Sequence, residues 1–168
     1  MTEEEAWAFL ESTDNKTMIL STVGPDNIPQ ATPIYFHVHN KKIYFNMIKD
    51  PPKQKLKNIL NNPYVCLTGD RWVMGPDGRP QFWFVSVIGT ARVVASERSS
   101  DPKEQAFVKE YNSWSPGKYD AGKGTEAHMK QRRSTPWGKV WVDVLERIYM
   151  EITPTKIVSY DARKKTVE

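Results

Sequence analysis

The sequence has 168 residues but a single cysteine, Cys66, and no run of the roughly 20 apolar residues that a membrane-spanning helix needs. One cysteine excludes an intramolecular disulfide and a thiolate metal cluster. Cys66 also lies in an apolar run that is typical of a packed strand. The first residues lack the basic and apolar regions of a secretory signal. We therefore expect a soluble, cytoplasmic protein with no membrane partner.

Common catalytic motifs are also missing. The sequence has no Gly-x-Ser-x-Gly, no glycine-rich phosphate loop ending in Lys-Ser/Thr, and no His-Glu-x-x-His. His37 and His39 would lie on the same face of one strand, but no third ligand stands at a plausible spacing. We expect no metal site, and the sequence identifies no catalytic residue.

The charge balance is only slightly basic. A net charge of +4 comes from 24 Lys and Arg against 20 Asp and Glu, which could favour an acidic or phosphorylated ligand through long-range attraction. The densest basic segment, Lys130–Arg133, is best interpreted as a solvated face. We therefore do not predict nucleic-acid binding.

The apolar pattern predicts a mainly β chain with a few helices. A capping box formed by Thr2 and Glu5 predicts a helix within residues 1–13. Two further helices are predicted, Lys53–Asn61 and Pro102–Tyr111. About eight strands are predicted, namely Met18–Val23, Ile28–Val38, Lys42–Ile48, Tyr64–Gly69, Phe82–Val94, Lys139–Val144, Arg147–Ile152 and Lys156–Tyr160.

This order of elements predicts one domain over residues 1–168. Long helices do not alternate with the strands, which argues against a parallel sheet. A partly closed antiparallel barrel fits better, since closure hides the sheet edges. Residues 112–138 are predicted to form a long loop or flap with a short helix near 126–132, and residues 161–168 a charged tail.

One segment has a physical reason to bind phosphate. Lys53, Gln54 and Lys55 stand at the start of a predicted helix, where the first amides lack partners within the helix and the helix dipole favours an anion. Lysines at a helix start are also commonly just exposed to solvent. The residue types alone leave both interpretations open.

Four segments together resemble a known family. The segment Lys55–Leu67 resembles the Lys-x-x-Asn/Gln-Ile/Leu-x-x-Asn-Pro-x-Val-x-Leu signature of the pyridoxine 5′-phosphate oxidase-like flavoproteins. Ile19–Phe36 is similar to the opening hairpin of that family, Ile43–Asn46 to its third strand and Val87–Val94 to its Val-x-Gly-x-Ala strand. The resemblance implies an antiparallel split β-barrel of the FMN-binding type with peripheral helices. It also implies a homodimer with the cofactor at the subunit interface.

The resemblance also implies a set of cofactor contacts. Gln54 stands where the family usually has an arginine, which removes a two-pronged hydrogen-bond donor to phosphate. A basic residue that often follows the second strand of the family would lie near His37, and the partner subunit's Trp83 would cover the flavin ring. The implied residues are Lys53, Gln54 and Lys55 for the phosphate, Thr32, Pro33 and Ile34 along the isoalloxazine, Asn46 and Met47 nearby, and Trp83.

The expected function is an FMN-dependent oxidoreductase that acts on an unidentified small molecule. The segment Tyr160–Glu168 lacks the Trp and Arg arrangement of the true oxidases, so we predict no pyridoxine 5′-phosphate oxidase activity. One alternative is a deazaflavin-dependent reductase, because Ile148–Pro154 loosely resembles the last strands of such relatives. A second alternative is a non-catalytic flavin or haem binder. The polyglutamate tail of a deazaflavin coenzyme would have four candidate partners, Lys118, Lys123, Arg132 and Arg133.

Overall fold

A computed structural model describes residues 1–12, 17–50, 52–74, 77–114 and 146–161. Its three helices in these ranges are α1 (Glu3–Glu11), α2 (Gln54–Asn61) and α3 (Pro102–Trp114). Its seven strands are β1 (Thr17–Val23), β2 (Pro29–Tyr35), β3 (His37–His39), β4 (Lys42–Ile48), β5 (Tyr64–Met74), β6 (Pro80–Ser96) and β7 (Arg147–Asp161). The predicted strand 139–144 and the short helix near 126–132 lie outside the described residues.

The seven strands form one sheet in the order β2-β1-β5-β6-β7-β4-β3. The two ends of this order, β2 and β3, are separated in the chain by Phe36 alone. The chain therefore passes from one edge of the sheet to the other within a residue, as an antiparallel split β-barrel requires. The predicted single strand Ile28–Val38 was wrong, because at Phe36 the chain leaves β1 and pairs with β4 instead.

The last described strand, β7, also differs from the prediction. The sequence suggested two strands interrupted at Pro154, but β7 runs without a break from Arg147 to Asp161. A Cβ placed on Gly89 of β6 would collide with the main-chain oxygen of Thr153 and lie 3.1 Å from the Cα of Pro154. Because Gly89 has no side chain, the backbone of β7 can lie close to β6, and the strand continues through Pro154.

Strands β5 and β6 form one hairpin, and both are longer than the predicted strands Tyr64–Gly69 and Phe82–Val94. Pairing continues from Tyr64 opposite Thr90 to Met74 opposite Pro80. The outer part of this ladder carries Trp72 beside Phe82, with ring centroids 5.4 Å apart. Aromatic cross-strand pairs of this kind stabilise antiparallel strands.

The chain divides into two compact units. The first comprises Met1–Phe45, Gln54–Arg92 and Glu151–Glu168. Its core consists of apolar side chains of α1, α2 and the strands. The most fully buried of them are Phe9, Met18, Leu20, Ile43, Phe45, Leu67, Val85, Val87 and Ile152.

The second unit comprises Asn46–Lys53 and Val93–Met150. Its described core is aromatic, because Tyr111 of α3 packs edge-on against Tyr149 at 4.8 Å and Phe107 meets both Tyr149 and Trp114. Burial, together with the negative charge of Glu97, raises the pKa of Tyr149 to about 12. Helix α3 extends to Trp114, so the first three residues of the predicted loop 112–138 are helical. The remainder of that loop lies outside the described residues.

Two absences hold for the described part of the chain. No helix there is long and apolar enough to cross a membrane. No group of three or more His, Cys, Asp or Glu side chains is placed to hold a metal ion.

Candidate functional site

The predicted phosphate-binding residues lie where α2 begins. Helix α2 starts at Gln54, and Lys53 immediately precedes it. Lys53 and Gln54 are exposed, whereas Lys55 is half-buried. The first turn of an eight-residue helix presents amides that have no partner within the helix. Positive side chains and the amide donors of a helix start together suit a phosphate dianion.

A buried asparagine ties this helix to the β1–β2 hairpin. Asn58 is 1% exposed, and its Oδ1 accepts a hydrogen bond of 2.8 Å from Nε2 of Gln54. Its Nδ2 donates to Oγ1 of Thr22 over 3.0 Å and to Oε1 of Gln30 over 3.4 Å. Thr22 and Gln30 are direct cross-strand partners in β1 and β2. The amide of Asn58 therefore fixes the start of α2 against two neighbouring strands.

This network holds the side-chain amide of the exposed Gln54 along the helix, against Asn58. The family's arginine at this position would present a planar fork to the phosphate, but the amide of Gln54 is already engaged with Asn58. The replacement of arginine by glutamine is thus coupled to the packing of α2. Of the three predicted phosphate ligands, Lys55 combines positive charge with partial burial.

Strand β2 extends from this network along the predicted flavin contacts. Thr32 and Ile34 lie on the same face as Gln30, since their cross-strand partners in β1 are Leu20 and Met18. Pro33 is exposed on the opposite face. β2 stands at one end of the strand order, so its outer edge forms no ladder with another described strand. A planar ring could lie along this edge and meet residues of both faces.

The other predicted flavin contacts do not lie on α2 or β2. Asn46 and Met47 of β4 belong to the second unit, where Asn46 is half-buried and Met47 is 6% exposed. Trp83 lies opposite Arg71 in the β5–β6 ladder. The guanidinium of Arg71 lies 5.5 Å from the Trp83 ring and 4.8 Å from that of Phe9 in α1. Trp83 therefore packs beneath α1 in its own chain.

Asn58, Thr22 and Gln30 are not among the site residues predicted from the sequence. The position of Asn58 was part of the family signature, so that signal was present. Thr22 and Gln30 became visible only with the register of the hairpin. Their contribution is to position the helix start.

A second polar cluster surrounds Glu151 of β7, which is 5% exposed. Its carboxylate accepts hydrogen bonds from Lys42 at 3.1 Å, Tyr44 at 2.9 Å and Arg92 at 3.0 Å. Burial alone would raise the pKa of Glu151, but the bonds from Lys42, Arg92 and Tyr44 outweigh it and lower the pKa below 4.5. The cluster is a satisfied ionic network that joins three strands of the sheet.

Comparison with known protein families identifies the family of this chain. The sequence model described as pyridoxamine 5′-phosphate oxidase matches residues 2–150. The chain belongs to the pyridoxamine 5′-phosphate oxidase family. This membership confirms the family predicted from the four sequence segments. A search of curated proteins gave no significant match.

Solved structures share the fold of this family member at low sequence identity. A conserved hypothetical protein of Mycobacterium tuberculosis is 21% identical with a TM-score of 0.62, over 98% of this chain and 87% of that one. An FAD-binding protein of Mesorhizobium loti is 12% identical with a TM-score of 0.61, over 96% and 93%. An FAD-binding protein of Mycobacterium smegmatis is 19% identical with a TM-score of 0.57, over 96% of each chain. These similarities confirm the mainly β split-barrel fold.

Proposed function

We propose that the chain is a flavin-binding oxidoreductase that holds FMN between the start of α2 and the edge of β2. The flavin would carry the hydride or electron transfer, and the protein would supply position and electrostatics. Family membership supports a flavin-type cofactor, as do the two FAD-binding proteins of the same fold. FMN, rather than another flavin, is proposed because the start of α2 suits a terminal phosphate.

The Asn58 network is the observation that carries the proposal. It holds Gln54 in the first turn of α2 and Gln30 of β2 by the same buried amide. Lys55 follows Gln54 directly, and Thr32 lies two residues after Gln30. A preorganised anion site next to the end strand of the described sheet matches a ligand with a phosphate and a planar ring. Lys53, Asn46 and Met47 remain predicted contacts.

The phosphate contact can be tested by comparing FMN with riboflavin, which lacks the phosphate. We expect Lys55→Ala to weaken FMN binding about tenfold or more, as loss of one charged hydrogen bond does. Riboflavin affinity should change little. Lys57→Ala is the matched control, because Lys57 is exposed on the same helix and carries the same charge. Absorbance and flavin fluorescence titrations give all the affinities.

The titrations distinguish a specific phosphate site from a general effect of positive charge. A loss confined to FMN and to Lys55→Ala supports the phosphate site. Equal losses for both lysine variants would reduce the effect to general charge and overturn the site. If the wild-type chain retains neither FMN nor riboflavin, and FMN supports no reduction of any acceptor, the oxidoreductase proposal fails.

Two alternatives use the same fold. A deazaflavin coenzyme would be favoured by a clear preference for it in parallel titrations. Its candidate partners at Lys118, Lys123, Arg132 and Arg133 lie outside the described residues. A non-catalytic flavin or haem binder would hold its cofactor tightly but exchange electrons with no donor or acceptor. Binding titrations followed by a screen of reductants decide among the three.

We propose further that the chain is a homodimer with the cofactor at the interface. The outward face of β1, β2, β5 and β6 has apolar side chains that are unusually exposed for their type. Its exposed members are Ile19 (41%), Tyr35 (50%), Tyr64 (66%), Trp72 (67%), Met74 (69%) and Ile88 (38%). A second copy covering this face would bury them. Trp83 lies on the opposite face of β6, beneath α1, so a contact between the partner subunit's Trp83 and the flavin would need α1 to be displaced.

The dimer can be tested by light scattering at micromolar concentration. Ile88→Glu places a charge in the middle of the face and should produce monomers with weaker flavin binding. Ile28→Glu is the control, because Ile28 is 63% exposed but lies in the turn before β2. A wild-type monomer, or a dimer that is indifferent to Ile88→Glu, would contradict the proposed interface.

We also propose that pyridoxine 5′-phosphate is not the substrate of this chain. The residues after Asp161, on which the prediction of no pyridoxine 5′-phosphate oxidase activity rests, lie outside the described residues. The prediction stands as made. Turnover of pyridoxine 5′-phosphate at ordinary enzyme rates by the FMN-loaded chain would refute it.

A further inference from the structure

The first unit has a cavity whose lining residues do not belong to α2 or β2. It is a cleft open to solvent, with a volume of about 380 Å³, lined by the start of α1, the β3–β4 turn and the second half of β7. Small-molecule pockets in proteins typically span about 300–1,000 Å³. Its lining residues are Met1, Glu3, Trp7, Lys41, Pro154, Thr155, Lys156, Ile157 and Ser159.

The walls of this cavity combine an apolar surface with two ammonium groups. Trp7, Pro154 and Ile157 supply flat or branched apolar surface. Lys41 comes from the β3–β4 turn and Lys156 from β7, so the positive charges are contributed by two different elements. Both lysines are exposed, and the structure gives neither an ion pair with any described carboxylate.

The local backbone fixes one of these lysines. Asn40 and Lys41 both adopt left-handed backbone angles, with φ values of 50° and 55°. Two successive residues of this kind are typical of the tight turn that closes a two-residue hairpin. The backbone of Lys41 is thus held at the rim of the cavity by the turn itself.

The one acidic side chain of the lining is already engaged. Oε1 of Glu3 accepts a hydrogen bond of 3.3 Å from the indole Nε1 of Trp7. This bond holds the carboxylate on the α1 side, next to the buried indole. The two lysines lie on the turn and on β7. An entering anion would therefore face the lysines, and its apolar body would face Trp7 and Ile157.

We propose that this cavity is a second binding site, separate from the flavin site, for a small organic carboxylate with a flat apolar body. The carboxylate would lie between Lys41 and Lys156. A ligand seated there would bridge α1 and β7. The inference does not depend on the flavin proposal, because none of its residues belongs to the predicted cofactor contacts.

Two probes of equal shape and opposite charge test the site. Indole-3-acetate carries a carboxylate and tryptamine an ammonium group on the same indole ring. We expect indole-3-acetate to bind the full 168-residue chain with a Kd of about 1 mM, the affinity usual for a ligand of its size. Tryptamine should bind at least tenfold more weakly. Isothermal titration gives both affinities, and fluorotryptophan NMR, with Trp7→Phe for assignment, reports the location.

A charge-matched pair of double variants supplies the control. Lys41→Ala with Lys156→Ala should weaken indole-3-acetate binding at least tenfold. Lys103→Ala with Lys109→Ala removes the same charge from exposed positions of α3 and should leave binding unchanged. All four lysines are exposed, so both proteins should fold. Equal binding of the two probes, equal losses in the two double variants, no shift of the Trp7 resonance, or no binding at 10 mM would each overturn the site.

Discussion

Gly89 of β6 lies so close to the main chain of Thr153 in β7 that no side chain fits between them. A Cβ at Gly89 would collide with the carbonyl oxygen of Thr153 and lie 3.0 Å from its carbonyl carbon. The obstructing atoms are backbone, so they cannot rotate away. This explains physically why a glycine occupies the centre of the Val-x-Gly-x-Ala segment.

Gly89→Ala should therefore lower the free energy of unfolding by about 3 kcal/mol or more, the upper range for overpacking a core. Urea denaturation measures the change. Gly69→Ala offers a contrast, since a Cβ there would lie 2.6 Å from Cγ of Met18. Trimming that side chain with Met18→Ala should partly compensate Gly69→Ala. A loss below about 1 kcal/mol for Gly89→Ala would show that β7 can shift.

The buried amide of Asn58 should be worth several hydrogen bonds to stability. Asn58→Ala removes three bonds and leaves acceptors on Thr22 and Gln30 without their donor. We expect a loss of about 2–3 kcal/mol in the free energy of unfolding. Asn61→Ala, at an exposed position of the same helix, should change it by less than about 0.5 kcal/mol. Equal effects in urea denaturation would rule out a special role for the network.

Glu151 should make stability depend on acidity. Its pKa is lowered in the folded chain, so the unfolded chain binds the proton more readily. The stabilisation is then fully present above the unfolded value of 4.5 and is lost as the pH falls through the folded pKa. Glu151→Gln should destabilise the chain near neutral pH by about 1–3 kcal/mol.

The difference between wild type and Glu151→Gln should shrink on acidification, which urea denaturation near neutral pH and below 4.5 can measure. Glu4→Gln, at an exposed position of α1, serves as the control. A difference that stays constant across this range would mean that the carboxylate titrates alike in the folded and unfolded chains.

Arg71 should anchor α1 to the β5–β6 hairpin. Its guanidinium lies over the rings of Phe9 and Trp83, and its Nη1 donates to Oγ of Ser12 over 2.9 Å. Arg71→Ala should cost about 1–3 kcal/mol and accelerate hydrogen exchange of the α1 amides. Arg79→Ala, at an exposed position of the hairpin turn, should do neither. Unchanged exchange in α1 would show that the helix is held by its apolar face alone.

The sequence predicted correctly the helices and strands whose ends are set by residues close by in the chain. The capping box of Thr2 and Glu5 is present at the start of α1. Strand β4 has the predicted bounds, Lys42–Ile48, and α3 begins at the predicted residue, Pro102. In each case the signal and the structure lie within a few residues of each other.

The strand boundaries that were predicted wrongly depend on residues far away in the sequence. The break at Phe36 follows from a change of partner strand, which no residue between Ile28 and Val38 encodes. The continuity of β7 through Pro154 depends on Gly89, more than 60 residues earlier. The family resemblance identified the residues at the start of α2, but the register that joins Thr22, Gln30 and Asn58 needed the folded hairpin.

The position of β7 in the strand order has a consequence for synthesis. It is the last described strand in the chain, yet it lies between β6 and β4. At about 5–20 residues per second, roughly 100 residues emerge between the end of β4 and the start of β7, which takes about 5–20 s. Throughout that interval, β4 has an unpaired edge on a nascent chain. An exposed edge can recruit a strand from another molecule, so yield during expression should depend on how quickly the ribosome delivers β7.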